Sequence, residues 1–170
     1  MRASSPHVVF DVGNVLIRWD PVLLYRDLIP DDEKRHWFMH NVCTAAWNIE
    51  QDRGRSWADA EALLIAEFPE KEAHIRAFRT HWAEMVPHAY DDSVAIMTGL
   101  IDAGRDVTML TNCAADTFSE ARQMYPFLNL PRGVTVSGEV GLIKPDVAIY
   151  ERHATDFDLS PAHSVFIDDS

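Results

Sequence analysis

Four short apolar runs punctuate the chain: His7-Val8-Val9-Phe10, Val107 to Leu110, Val134-Thr135-Val136 and Ser164 to Ile167. Each is rich in β-branched or aromatic residues and too short for a helix, so each predicts a buried strand. Before the second run and between the later ones, apolar positions recur at helical spacing. Val94, Met97, Leu100 and Ile101 share one face of a helix that Gly104 terminates. Ala114 to Met124 predicts a second helix, and Val147, Tyr150, Ala154 and Phe157 mark a third. Gly138 and Gly141 bracket a predicted loop that leads into Ile143-Lys144-Pro145. Helix and strand alternate through this half of the chain, which implies right-handed crossovers and a parallel sheet.

The stretch after the first strand has a different pattern. Asp20-Pro21 reads as an N-cap followed by proline in the first helical turn, and helical spacing then persists to about Met85. Asp31 to Val42 is one helix, and Thr44 to Asp52 is another, closed by Gly54. Ser56 caps a third, with Asp59 three residues on in a capping-box-like position. Ile75, Phe78, Trp82 and Met85 line a fourth. All five tryptophans fall in this region, at 19, 37, 47, 57 and 82, and most are expected in the core of a small helical bundle. The expected organisation is a core of residues 1–17 and 88–170, with residues 18–87 as a helical cap over the carboxyl edge of the sheet.

Composition narrows the partners. The 170 residues suffice for one domain with a modest insertion, and 47% hydrophobic with 25% charged residues is ordinary for a soluble globular protein. Acidic residues number 27 against 15 Lys and Arg, a net charge of -12, which argues against nucleic acid or an anionic membrane surface as partner. Met1 to Pro6 is too short and polar for a signal peptide, and no apolar run approaches membrane-spanning length. Cys43 and Cys113 lack metal-ligand spacing and suggest no disulfide scaffold, so a reducing cytoplasm is the expected setting. His36 and His40 are spaced like a helical metal pair, but without a third ligand nearby they are expected as surface histidines. No feature of the sequence sets an oligomeric state.

Candidate chemistry collects where the strands end. Asp11 closes the first strand before a sharp Val12-Gly13-Asn14 turn, Thr111-Asn112 closes the second, and Asp168-Asp169 closes the last. Lys144 follows the remaining strand. Each is commonplace alone. Together they supply what phosphoryl chemistry requires: a carboxylate nucleophile, a hydroxyl and backbone amide for phosphate oxygens, a lysine to neutralise charge, and carboxylates for magnesium.

In this order the chain resembles the haloacid dehalogenase-like (HAD) hydrolase superfamily, in its branch with a helical cap after the first strand. VVFDVGNVL is similar to the family's first motif, VTMLTN to the second, GLIKPD to the lysine motif and VFIDDS to the fourth. The resemblance covers the whole chain. It implies an α/β fold, a Rossmann-like parallel sheet with helices on both faces and an inserted α-helical cap. It implies a magnesium-dependent phosphatase of a small phosphorylated metabolite, forming an aspartyl-phosphate. By that resemblance Asp11 is the nucleophile, and Thr111, Asn112 and Lys144 hold the phosphoryl group. Asp11, the Gly13 carbonyl, Asp168 and Asp169 coordinate Mg2+. Asn14 and the cap residues Trp47, Glu50 and Arg53 are candidates to face the substrate.

Two departures from the family pattern matter. Most of its phosphatases carry a second Asp two positions after the nucleophile, as general acid and then base, and here that position is Gly13. Glu50 or Asp52 from the cap is the expected substitute, in an enzyme biased toward good leaving groups. The chain also stops at Ser170, directly after the fourth motif, where the family continues with a helix and a further strand, so a fragment of a longer protein is expected. Two other functions compete. A 2-haloacid dehalogenase usually has a bulky aromatic near position 13 and no Asp pair in the fourth motif, and this sequence has neither trait. A non-catalytic binding or regulatory module is opposed by the presence of Asp11, Lys144 and both terminal aspartates.

Overall fold

The computed structural model describes residues 5–170. Strand β1 (His7–Phe10) lies inside a four-stranded sheet with β2 (Val107–Thr111), β3 (Val134–Val136) and β4 (Ser164–Ile167), in the order β3-β2-β1-β4. All three pairings are parallel, with Val9 opposite Thr108 on one side and Phe166 on the other. This is the α/β architecture that the strand and helix pattern predicts. Parallel strands carry their connections on the two faces; β1 and β2 are buried throughout, while Val165 of β4 is 47% exposed. Val8, Phe10, Val107 and Met109 face α6 (Asp91–Asp102) and α7 (Ala115–Met124). Val9 and Leu110 face the other way, onto Ile149 of α9 (Val147–Asp156).

Between β1 and β2 the chain forms α1 (Val22–Leu28), α2 (Asp32–Asn41), α3 (Ala45–Asp52), α4 (Trp57–Glu67) and α5 (Glu72–Thr80). The caps that start them are legible in the sequence. Asp31, Thr44 and Ser56 accept from the backbone N–H of Lys34, Trp47 and Asp59, each three residues on. At α1 the helix begins one residue later than expected, at Val22, whose N–H donates to Asp20 Oδ1 at 3.1 Å. Leu24, Tyr25, Phe38, Phe78 and Trp82 from this block share one apolar core with Phe10 and Met109 of the sheet. Trp37 is the tryptophan that stays exposed, at 45%.

One local expectation fails for a physical reason. The segment expected as a loop at Gly138 to Gly141 is largely a short helix, α8 (Ser137–Val140), ended by Gly141 at φ 71°. Gly138 is there for close approach and not for a turn: a Cβ would stand 2.8 Å from the Ala115 nitrogen and from the Cys113 carbonyl oxygen. On α9 the buried side chains are Ile149 and His153, while Val147 is 69% exposed. The buried face of this helix carries His153 because the sheet offers it a polar surface. His153 Nε2 pairs with Thr108 Oγ1 and Nδ1 with Thr135 Oγ1, both at 2.8 Å, and Thr108 Oγ1 also meets His7 Nε2 at 2.8 Å. His36 and His40 stack on each other at the surface of α2, 3.9 Å between ring centroids.

Burial pushes the His153 pKa down from 6.5 to about 4, so the folded protein holds the ring neutral. The unfolded chain therefore binds the extra proton first, and stability is lost as pH falls from about 6.5 toward about 4. Urea melts across that interval should fall more steeply for the wild type than for His153→Gln; parallel curves would contradict the account.

Candidate active site

The parallel register brings the functional side chains together. Phe10 pairs with Ile167, so the residues that follow, Asp11 and Asp168, leave neighbouring strands side by side. The Asp11 N–H still bonds the Ile167 carbonyl at 2.9 Å, and Asp11 Oδ1 accepts from the Val12 N–H at 2.7 Å. Lys144 Nζ sits between the two carboxylates, 3.0 Å from Asp11 Oδ1 and 2.7 Å from Asp168 Oδ2. Ser170 donates to Asp168 Oδ1 from its N–H at 3.0 Å and its hydroxyl at 2.7 Å. One carboxylate oxygen each from Asp11, Asp168 and Asp169 lie within 4.8 Å of one another, a group that could hold a metal ion.

Their environments separate the two carboxyls. Burial pushes Asp11 up to about 6, against the opposing pull of Lys144. Burial also acts to raise Asp168, but the bonds from Lys144 and Ser170 outweigh it and hold that group at about 2.

Asn112 lines the cavity and its side chain also holds the Lys144 loop. Its Oδ1 accepts from the Lys144 N–H at 2.9 Å and its Nδ2 donates to the Lys144 carbonyl at 3.1 Å, so its amide clamps the loop that delivers the lysine. Thr111 is buried at the end of β2 beside it. Asn14 occupies the left-handed region at φ 58° and takes the Trp19 N–H on Oδ1 at 2.9 Å, which closes the turn after Asp11. Gly13 is outside the left-handed region, and a Cβ there would meet only Trp19 Cβ at 3.8 Å.

These groups open onto a cavity of about 710 Å³. Asp11, Thr111, Asn112, Lys144, Asp168 and Asp169 form its polar end. Ile17, Trp19, Trp57, Trp82, Val86 and Phe118 form an apolar wall. From α3 the cavity receives Asn48 and Asp52, which stand four residues apart on one helix face. Burial pushes the Asp52 carboxyl up to about 7, partly offset by the Ala114 N–H. Trp47, Glu50 and Arg53, expected to face the substrate, lie elsewhere. Trp47 is buried with its Nε1 bonded to the Ala60 carbonyl at 3.1 Å, and Arg53 stands 3.7 Å from both Glu50 and Asp146. None of the three lines the cavity. Asn48, the tryptophan wall and the Asn112 clamp went unread in the sequence; the i, i+4 pair Asn48–Asp52, beside the buried pair Trp47–Gln51, was the available signal for the first.

No family model matches the chain. A sesquiterpene phosphatase of Aspergillus oryzae is 27% identical over 171 residues, spanning 99% of this chain and 83% of that protein. Among solved structures, a HAD family enzyme from Bacteroides thetaiotaomicron superposes with a TM-score of 0.74 at 17% identity, over 99% of this chain and 86% of the other. The same enzyme solved with magnesium and inorganic phosphate gives 0.72 at 17%, over 98% and 86%. A predicted HAD-like family hydrolase of Porphyromonas gingivalis gives 0.71 at 17%, over 99% and 83%. The chain has the fold of the HAD enzymes.

Lys144→Met removes the one cation that the two strand-end carboxyls share. Both carboxyls should then titrate higher, Asp11 above about 6 and Asp168 above about 2, as followed by carbon NMR of the side-chain carboxyls. Unchanged titration of both would show that the lysine does not set their charge.

Proposed function

We propose that this chain is a magnesium-dependent phosphomonoester hydrolase that works through an aspartyl-phosphate on Asp11. The observation that carries the reading is the convergence of Asp11, Lys144 and the Asp168-Asp169 pair at the polar end of one cavity. The donor set suits a hard cation: three carboxylates offer oxygens, and among the described residues no backbone N–H donates to the Gly13 carbonyl. Asp11, the Gly13 carbonyl, Asp168 and Asp169 would hold magnesium, which supplies positive charge beside the phosphoryl oxygens. The magnesium and phosphate complex of the Bacteroides enzyme supports this assignment.

The chain's own residues do the rest. Asp11, unprotonated, presents Oδ to phosphorus. Lys144 neutralises charge on the transferring group, and the Thr111 hydroxyl donates to one of its oxygens. Asn112 acts through Lys144, fixing the height of its loop. Residues 18–87 serve as a cap that closes over the site and excludes water, upon a core of residues 1–17 and 88–170. The organic part of the ester lies against the wall of Trp19, Trp57, Trp82 and Phe118, which suits an apolar leaving group. The likeness to a sesquiterpene phosphatase supports the same choice. Free thiols at Cys43 and Cys113 fit a reducing compartment such as the cytoplasm. Among the described residues no helix is long and apolar enough to cross a membrane.

Phosphate release should require magnesium and stop in excess chelator. Across a series of alkyl and prenyl phosphates, kcat/KM should climb with apolar length, by about fourfold per buried methylene. Asp11→Asn should abolish turnover without unfolding the chain. A preference for polar sugar phosphates would contradict the apolar assignment, and full turnover in chelator or in Asp11→Asn would contradict the mechanism.

A further inference from the structure

We propose that Asp52, reaching the cavity from the end of α3, protonates the leaving oxygen and then activates water, in place of the carboxyl that Gly13 lacks. The inference rests on the phosphatase reading above and adds a residue to it. Four carboxylates line the cavity: Asp11, Asp52, Asp168 and Asp169. Three converge as candidate ligands. Asp52 stands outside that group, belongs to the helical insertion, and makes no ion pair among the described residues.

Its hydrogen-bond partners are the Ala114 N–H and the Asn48 side chain. Asn48 Nδ2 is 3.5 Å from Asp52 Oδ2, too long for a strong bond. Burial pushes the Asp52 carboxyl up to about 7, so acid and carboxylate are both populated near neutral pH. The other titratable groups on the wall are poorly suited. Burial pushes the Cys113 thiol up to about 12 and raises the Tyr150 hydroxyl above its ordinary value, while Lys144 is shared between two carboxylates. Asp52, Asp11 and Cys113 line the same cavity. Glu50 pairs with Arg53 and does not line the cavity.

The steps balance. Asp11 Oδ bonds phosphorus while the bond from phosphorus to the leaving oxygen breaks, and that oxygen takes the Asp52 proton and departs as an alcohol. Asp52, now a carboxylate, accepts a proton from water as the water oxygen attacks phosphorus. The bond from phosphorus to Asp11 breaks, inorganic phosphate leaves, and Asp52 is again the acid.

The test compares hexyl phosphate with 2,4-dinitrophenyl phosphate, whose leaving group departs without a proton, in the wild type and Asp52→Asn. Asp52→Asn should lose about a hundredfold to ten-thousandfold on the hexyl ester. Its first turnover of the dinitrophenyl ester should stay within about threefold of the wild type and end in a burst, because only the water step still needs the carboxylate. Adding Gly13→Asp should restore hexyl turnover, since the backbone and the space at position 13 admit a side chain. A folded Asp52→Asn that hydrolyses the hexyl ester at the wild-type rate overturns the proposal, as does an equal loss on the first turnover of both esters. If Asp52→Asn does not fold, Asp52→Glu and Asp52→Gln take its place, and equal hexyl turnover in that pair overturns it. A wild type inactive on both esters with magnesium present overturns the phosphatase reading itself.

Discussion

The structure depends on a lysine held between two carboxylates. Asp11 and Asp168 leave adjacent parallel strands because Phe10 pairs with Ile167, and two like charges brought that close need a cation. Lys144 meets the need from a third part of the chain, so its loop must be fixed. Asn112, at the end of β2, fixes it with two bonds to the Lys144 backbone. The loop then starts at α8, whose Ser137 takes the Cys113 N–H at 2.9 Å and so ties back to the same strand end. Every strand of the sheet thereby bears on one ammonium group.

The helical insertion is bound to this platform by shared burial and by a polar clasp. Its core is continuous with one sheet face. At the surface, Arg79 pairs with Asp116 at 2.6 Å and Glu120 at 2.9 Å on α7, and Trp57 Nε1 donates to Asp116 Oδ1 at 3.1 Å. Trp57 also lines the cavity, so the clasp and the cavity wall share a residue. Exposed ion pairs contribute little to stability, which leaves the apolar core as the main attachment. The opposite face of the sheet is different in kind: the chain His7, Thr108, His153 and Thr135 makes a buried polar seam under α9, with all four side chains bonded.

Strand positions, the helical block and its caps were legible because each rests on a local rule: β-branched runs, 3.6-residue spacing, Ser, Thr or Asp before a helix. Asp11, Thr111, Lys144 and the Asp168-Asp169 pair were legible as a set because parallel strands put their carboxyl ends at one edge. What went unread needed partners distant in sequence. His153 faces the sheet where Thr108 and Thr135 supply hydrogen bonds 45 and 18 residues away. Gly138 reads as a turn until the backbone of Cys113 to Ala115 is seen against it. Along α3 the sequence pointed to a helix that reaches the cavity, yet which residues line it follows from its rotation, set by burial of Trp47 and Gln51.

In the proposed mechanism Asp11 forms a covalent bond to phosphorus. Intact-protein and peptide mass spectrometry, after rapid acid quench of turnover on an aryl phosphate with magnesium, reads that bond directly. The account predicts one phosphoryl group on the peptide that carries Asp11, lost on treatment with hydroxylamine and absent in Asp11→Asn. A phosphoryl group on any other residue, or turnover by Asp11→Asn, would contradict it.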